Sequence, residues 1–177
     1  QPDPAILPAV IKAAPMKPLL FLTLLHLCLH SKAQSQDRIT TIDAYCRSLS
    51  QQQLSLVTDT VQIRKAQSSK DLKIVTNLSL DQDTLRCIQQ EVYFLDTHPA
   101  KEAVTHTITL FYYQQNQLIK VSEQRFTGRA TQQTDWYFEN AHLLAAAPAS
   151  EEAEPRSRQL LDLSQTLRRQ FMVVPAK

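Results

Sequence analysis

Glycine is almost absent: 177 residues hold one, Gly128. A phosphate-cradling loop needs glycines so that the backbone can approach the anion. The Gly-x-Ser-x-Gly elbow of α/β-hydrolases needs them for its sharp turn, so a single glycine excludes both. It also predicts turns built from Asn, Asp and Gln at ordinary backbone angles, in loops of four or more residues rather than tight two-residue hairpins. After residue 33 there is no His-x-x-x-His and no Cys-x-x-Cys, so no zinc motif is present and neither a metal nor another cofactor is expected.

An excess of charge is missing too. Lys12, Lys17, Lys32 and Asp3 lie before residue 34, which leaves 16 of the 19 basic and 16 of the 17 acidic residues in the rest of the chain. A formally neutral domain lacks the basic face that displaces counterions from phosphates, and a nucleic-acid partner is not expected.

The one long apolar run is Leu19 to Leu29. Met16 and Lys17 precede it, and Ser31-Lys32-Ala33 follows with small residues at the two positions a signal peptidase inspects. This is the layout of a secretory signal peptide, and at about a dozen residues the run is too short to span a bilayer of about 30 Å. We therefore expect residues 1–15, with four prolines and no apolar period, to be an upstream or disordered extension. Residues 16–33 are expected to be a signal peptide, residues 34–172 a single domain and 173–177 a tail. Of the three cysteines, Cys28 follows Leu27, too bulky a residue for a lipid-modified cut site, so the expected product is periplasmic or secreted and not an integral membrane protein. Cys46 and Cys87 remain, either as a disulfide suited to an exported protein or as two buried thiols.

Along the expected mature chain, Ile39, Ile42, Cys46 and Leu49 recur at helical spacing, with Ser35 or Asp37 as the cap at the start. The period then drops to two. Val57, Val61 and Ile63, then Leu72, Ile74, Leu78 and Leu80, alternate with polar residues as strands with one wet face. Thr84 to Leu95, apolar on both sides near its end, reads as a central strand. From Val104 to Ala147 the sequence says one thing twice. Phe111-Tyr112-Tyr113 precedes Leu118-Ile119, and Trp136-Tyr137-Phe138 precedes Leu143-Leu144, 25 residues on. Each unit is a hairpin, with loops at 114–117 and 139–142. Residues 145–155 have a linker's composition, and Leu160, Leu163, Leu167 and Phe171 form a second amphipathic helix. The expected fold is α+β: an antiparallel meander of six or seven strands, with the N-terminal and C-terminal helices packed on one face.

Two groups of residues suggest chemistry. Phe111, Tyr113, Trp136 and Phe138 gather at one end of such a sheet and suit a peptide, a glycan or an apolar ligand, although aromatic cross-strand pairs are also ordinary packing. His106 shares a strand face with Ile108 and Leu110. It is a candidate base, with Asp135 or Glu123 orienting it and Cys46 or Cys87 as nucleophile, or else a histidine at the sheet margin. His98 and His142 read as loop residues.

The leader ending at Ala33 and the two aromatic hairpins together resemble the small exported proteins of uncharacterised role abundant in Bacteroidota. The resemblance implies an envelope location and no particular activity. Three functions follow as expectations: a non-catalytic binding module acting through its sheet face or aromatic end, a carrier enclosing an apolar ligand in a half-barrel like the periplasmic lipoprotein carriers, and a small hydrolase using His106.

Overall fold

A computed structural model describes residues 18–63, 70–96, 104–128 and 130–172. The chain divides into two compact units, 1–38 and 39–177. Helix α1 (Pro18–Leu49) begins in the first and ends in the second. The expected start of this helix at Ser35 or Asp37 is thus corrected: from Leu19 on, the leucine-rich run contains no proline or glycine to stop a helix. Among the described residues, no helix is long and apolar enough to cross a membrane.

The second unit is a seven-stranded antiparallel sheet in sequential order. Its strands are β1 (Ser55–Ile63), β2 (Lys70–Asp81), β3 (Thr84–Asp96), β4 (Val104–Gln114), β5 (Gln117–Thr127), β6 (Thr131–Glu139) and β7 (His142–Ala147). Helix α2 (Ala153–Met172) follows. The α+β meander with terminal helices is therefore the architecture. β3 is an interior strand as expected, with β4 at the centre of the order. Ala145 to Ala147 pair with Tyr137 to Asp135, so only residues 148–152 connect sheet to helix, and the linker is shorter than its composition suggests. The prediction for residues 173–177 lies outside the described residues.

Register explains the 25-residue repeat. Val57, Leu78, Ile88, Phe111, Val121, Trp136 and Ala146 stand in one row across all seven strands. Phe111 and Trp136 are thus equivalent positions on either side of Val121. From Leu78 to Trp136 this row is buried, Ile88, Phe111 and Val121 completely, and it packs against Leu160 and Leu167 of α2. The next row alternates to the other side: Cys87, Tyr112, Lys120, Tyr137 and Ala145. There Lys120 and Tyr137 meet Asp43 of α1.

The end of α1, from Ile39 to Leu49, and α2 therefore take opposite faces of the sheet and are not packed together on one. The reason lies in the repeated aromatic triplets, which are apolar at consecutive positions. A strand that is apolar on both sides has to be covered on both sides.

The hairpin loops also differ from expectation. Only Gln115-Asn116 separates β4 from β5, and only Asn140-Ala141 separates β6 from β7. All four residues have positive φ, at 50, 62, 50 and 62°. Positive φ at both central positions is the type I′ turn, whose twist matches that of the flanking strands. Strand twist therefore prevails over the local cost of left-handed residues without glycine. Ala141 has neither glycine's freedom nor the side-chain bond that helps asparagine. Replacing Ala141 by Gly should raise stability by about 1 kcal/mol, since left-handed alanine costs roughly 1–2 kcal/mol and glycine's extra unfolded-state entropy offsets part of the gain. Urea denaturation checks this, and an unchanged or lower midpoint contradicts it.

Candidate functional site

Phe111, Tyr113, Trp136 and Phe138 do come together, but beneath α2 and no more than 4% exposed. Their placement is mainly packing, and Trp136 also borders an open cleft. Tyr113 ties the layers together. Its main-chain oxygen accepts from the Tyr45 hydroxyl of α1 at 2.8 Å, its own hydroxyl lies 2.9 Å from Ser164 Oγ of α2, and the Arg168 guanidinium sits 5.6 Å from its ring centre.

His106 lies on the other face, stacked between Tyr93 (4.2 Å between centroids) and Phe126 (5.1 Å). Its Nε2 is 3.5 Å from Glu91. The Tyr93 hydroxyl and the Gln89 amide donate to Glu91, and the hydroxyl most of all holds that carboxyl below its ordinary pKa. Neither proposed orienting group is beside the imidazole: Glu123 faces α2, and Asp135 is bound to Lys120 at 3.1 Å. His106 pairs with Tyr93, six residues along β3 from Cys87, which separates histidine and thiol by roughly 20 Å. The nucleophile–base constellation named for a hydrolase is not assembled. His142 is an exposed residue at the start of β7, and His98 lies outside the described residues.

The α1 face carries a buried charge network that the sequence did not reveal. Lys120, 12% exposed at its side chain, reaches Asp43 at 2.7 Å and Asp135 at 3.1 Å. The Tyr137 hydroxyl donates to both Asp43 oxygens at 3.2 Å. Burial lowers the affinity of Lys120 for its proton, but the two carboxylates more than compensate and its pKa is raised. Cys46 and Cys87 adjoin this network as free thiols, which is the second of the two alternatives the sequence leaves open. Burial pushes each up to about 12, the range of inert thiols rather than nucleophiles.

Under α2, Glu123 is 3% exposed and paired by Arg156 and by Arg125, the latter at 2.7 Å. These residues line an open cleft of about 160 Å³ with Trp136 and Glu152. The largest of the described clefts, about 390 Å³, is lined by Asp43, Arg47, Tyr112, Lys120, Ser122 and Gln124 among others. Both are open, and most of the residues around them are polar. Among the described residues no group of His, Cys, Asp and Glu is placed to hold a metal.

Apolar exposure is concentrated elsewhere. Among the described residues, the strongly exposed large apolar ones are Leu56 (65%), Val57 (50%), Val61 (44%) and Ile63 (40%), all on β1. Alternation predicts one wet face for this strand, yet eight of its nine residues are exposed, because it lies beyond the reach of both helices at the sheet edge. Beside it on the α2 side, Leu72, Ile74, Val92 and Phe94 are half-buried and continue the apolar surface inward. An exposed strand edge presents unpaired N–H and C=O groups, and apolar side chains beside them add a hydrophobic surface. That edge is the candidate functional surface. Compared with protein-family models, with curated proteins and with solved structures, the chain matches none of them.

The network and the thiols generate two predictions. Replacing Lys120 by Met leaves Asp43 and Asp135 close together with no cation between them and should cost about 3 kcal/mol, the lower end for breaking a buried pair. A urea midpoint within error of the parent contradicts this. Both thiols and Lys120 hold their protons more tightly folded than unfolded. Their contribution to stability is complete below the unfolded pKa, about 8.5 for Cys and 10.4 for Lys, and is lost as pH rises toward the folded values. Stability should therefore be flat from pH 6 to 8 and fall above 9. In a Cys87→Val variant that fall should be shallower by about 1.4 kcal/mol per pH unit; equal slopes contradict the contribution of that thiol.

Proposed function

We propose that this chain is an exported, non-catalytic binding module that engages a protein partner through the free edge of its sheet. The observation that carries the reading is the confinement of strongly exposed large apolar side chains, among the described residues, to β1. A partner strand laid along β1 satisfies its outward backbone groups, and the side chains alternating on either face provide selectivity. Export is supported by the charged start, apolar run and small-residue cut site at residues 16–33, and a periplasmic or secreted location follows from it.

The carrier reading requires an enclosed apolar cavity between helix and sheet. Here the space under α2 is filled by Phe111, Tyr113, Val121, Phe138 and Leu160, which favours the binding module. The hydrolase reading requires a nucleophile beside His106, and Cys87 lies far from it along the sheet.

The test is photo-crosslinking from benzoylphenylalanine placed at Gln62 on β1 and, as a control, at Gln132 on β6, using the full chain in an envelope extract of the producing cells. Position 62 should yield a discrete adduct that Val61→Lys abolishes, and position 132 should yield none. Equal labelling from both positions, or labelling insensitive to Val61→Lys, overturns the reading.

A further inference from the structure

The edge at β1 has a property that narrows its partner. About Thr60 the strand is close to symmetric in chemistry: Val57 and Ile63 stand three residues to either side, and Thr58 and Gln62 stand two. An interface made by two identical strands related by a two-fold axis has to be self-complementary, and this pattern meets that requirement at every pair but Asp59 with Val61. From this, resting on the proposed role of β1 as a docking edge, we infer that the strand pairs antiparallel with β1 of a second copy, joining two seven-stranded sheets into one.

Three features of the edge support a second copy as the occupant. The first is its lack of protection. Natural edge strands are blunted by lysine, proline or a bulge. β1 has no lysine, arginine or proline and a single charge, Asp59, and it pairs with β2 through nine residues without a register shift.

The second is register. Centring the two-fold on Asp59 would set two carboxylates directly opposite one another, which is destabilising. Centring it on Thr60 moves the two carboxylates from directly opposite to diagonal, about 7–8 Å apart on the same face, and pairs Val57 with Ile63 and Thr58 with Gln62 of the copy, while Asp59 stands opposite Val61. The side chains of Val57, Val61 and Ile63 then remain on the α2 side in both copies, so the apolar strips beside Leu72 and Ile74 become continuous across the junction.

The third is the other edge. β7 has six residues against nine in β1, so head-to-tail stacking of β1 on β7 pairs at most six residues against seven in the two-fold arrangement, and of the two only the two-fold arrangement closes.

The paired segment is short. Seven residues per strand span about 24 Å, which falls below the roughly 800 Å² per partner of a standard stable interface. The dimer is accordingly a weak one, with dissociation expected in the micromolar range or above.

The register makes a sharp test available. At its centre the two Thr60 Cα atoms lie about 4.5–5.5 Å apart, within the span of a disulfide. Ser55 lies about 30 Å from its copy. In the purified full chain, Thr60→Cys should give a disulfide-linked dimer with oxidised glutathione, and Ser55→Cys should not. Sedimentation should show concentration-dependent dimer in the parent, reduced at least tenfold in association constant by Val61→Lys. A second edge variant, Thr60→Lys, should behave alike, with circular dichroism confirming that both remain folded.

A purified parent that stays monomeric at high micromolar concentration, together with no disulfide-linked dimer from the Thr60→Cys variant, overturns the inference. If adducts from position 62 in extract then persist on another protein, the docking-edge reading stands and only the identity of its partner is wrong. If they are absent there as well, both fall. A dimer cross-linked equally well through positions 55 and 60 also overturns the inference, because it places the contact elsewhere or without register.

Discussion

The structure depends on one apolar row, Leu78, Ile88, Phe111, Val121 and Trp136, laid across five adjacent strands and closed by Leu160 and Leu167. Each of these side chains is removed from water only if its neighbours in the row are in register. A slip of one residue in any strand would turn its apolar set to the opposite face. Burial of the row therefore specifies strand register and, through it, the seat of α2. At about 25 cal/mol per Å² of apolar surface removed from water, a row of this kind is the dominant favourable contribution in a sheet with so few long-range ion pairs.

The opposite face is organised differently. Where α2 covers hydrocarbon, the end of α1 covers Lys120, Tyr137 and Asp135 with Asp43. A cation held between two carboxylates contributes less net stability than apolar packing of equal volume, because each charge is partly stripped of water. It is directional, however, and it pins α1 at one crossing point on the sheet. Tyr113 links the two faces, bonded to α1 through its backbone and to α2 through its hydroxyl. With both helices anchored over the middle and last strands, β1 is left uncovered. The exposed edge is thus a consequence of where the helices are held.

Much of this was legible in the sequence. The change from helical spacing at Ile39, Ile42, Cys46 and Leu49 to alternation after Val57 marked the passage from helix to sheet. The two aromatic triplets marked equivalent positions in successive hairpins, and Leu160 to Phe171 marked the closing helix. All of these are local periodicities, which follow from backbone geometry and can be read a few residues at a time. The turns depart from expectation because strand twist, imposed by the ladder on both sides of the turn, outweighs the scarcity of glycine. The site was less legible. The aromatics that looked like a ligand surface are the core, since a residue type does not say which of two sheet faces receives a helix, or how completely.

Amino-acid order alone determined the element types and the hairpin pairing, because each depends on residues near one another in the chain. Only the folded molecule decided that the end of α1 and α2 lie on opposite faces, that Lys120 sits between Asp43 and Asp135, that His106 stands far from Cys87, and that β1 is the bare edge. Those outcomes depend on pairs up to 94 residues apart, such as Asp43 and Tyr137. Their proximity is a sum over every intervening turn and register, and no single stretch of sequence contains it.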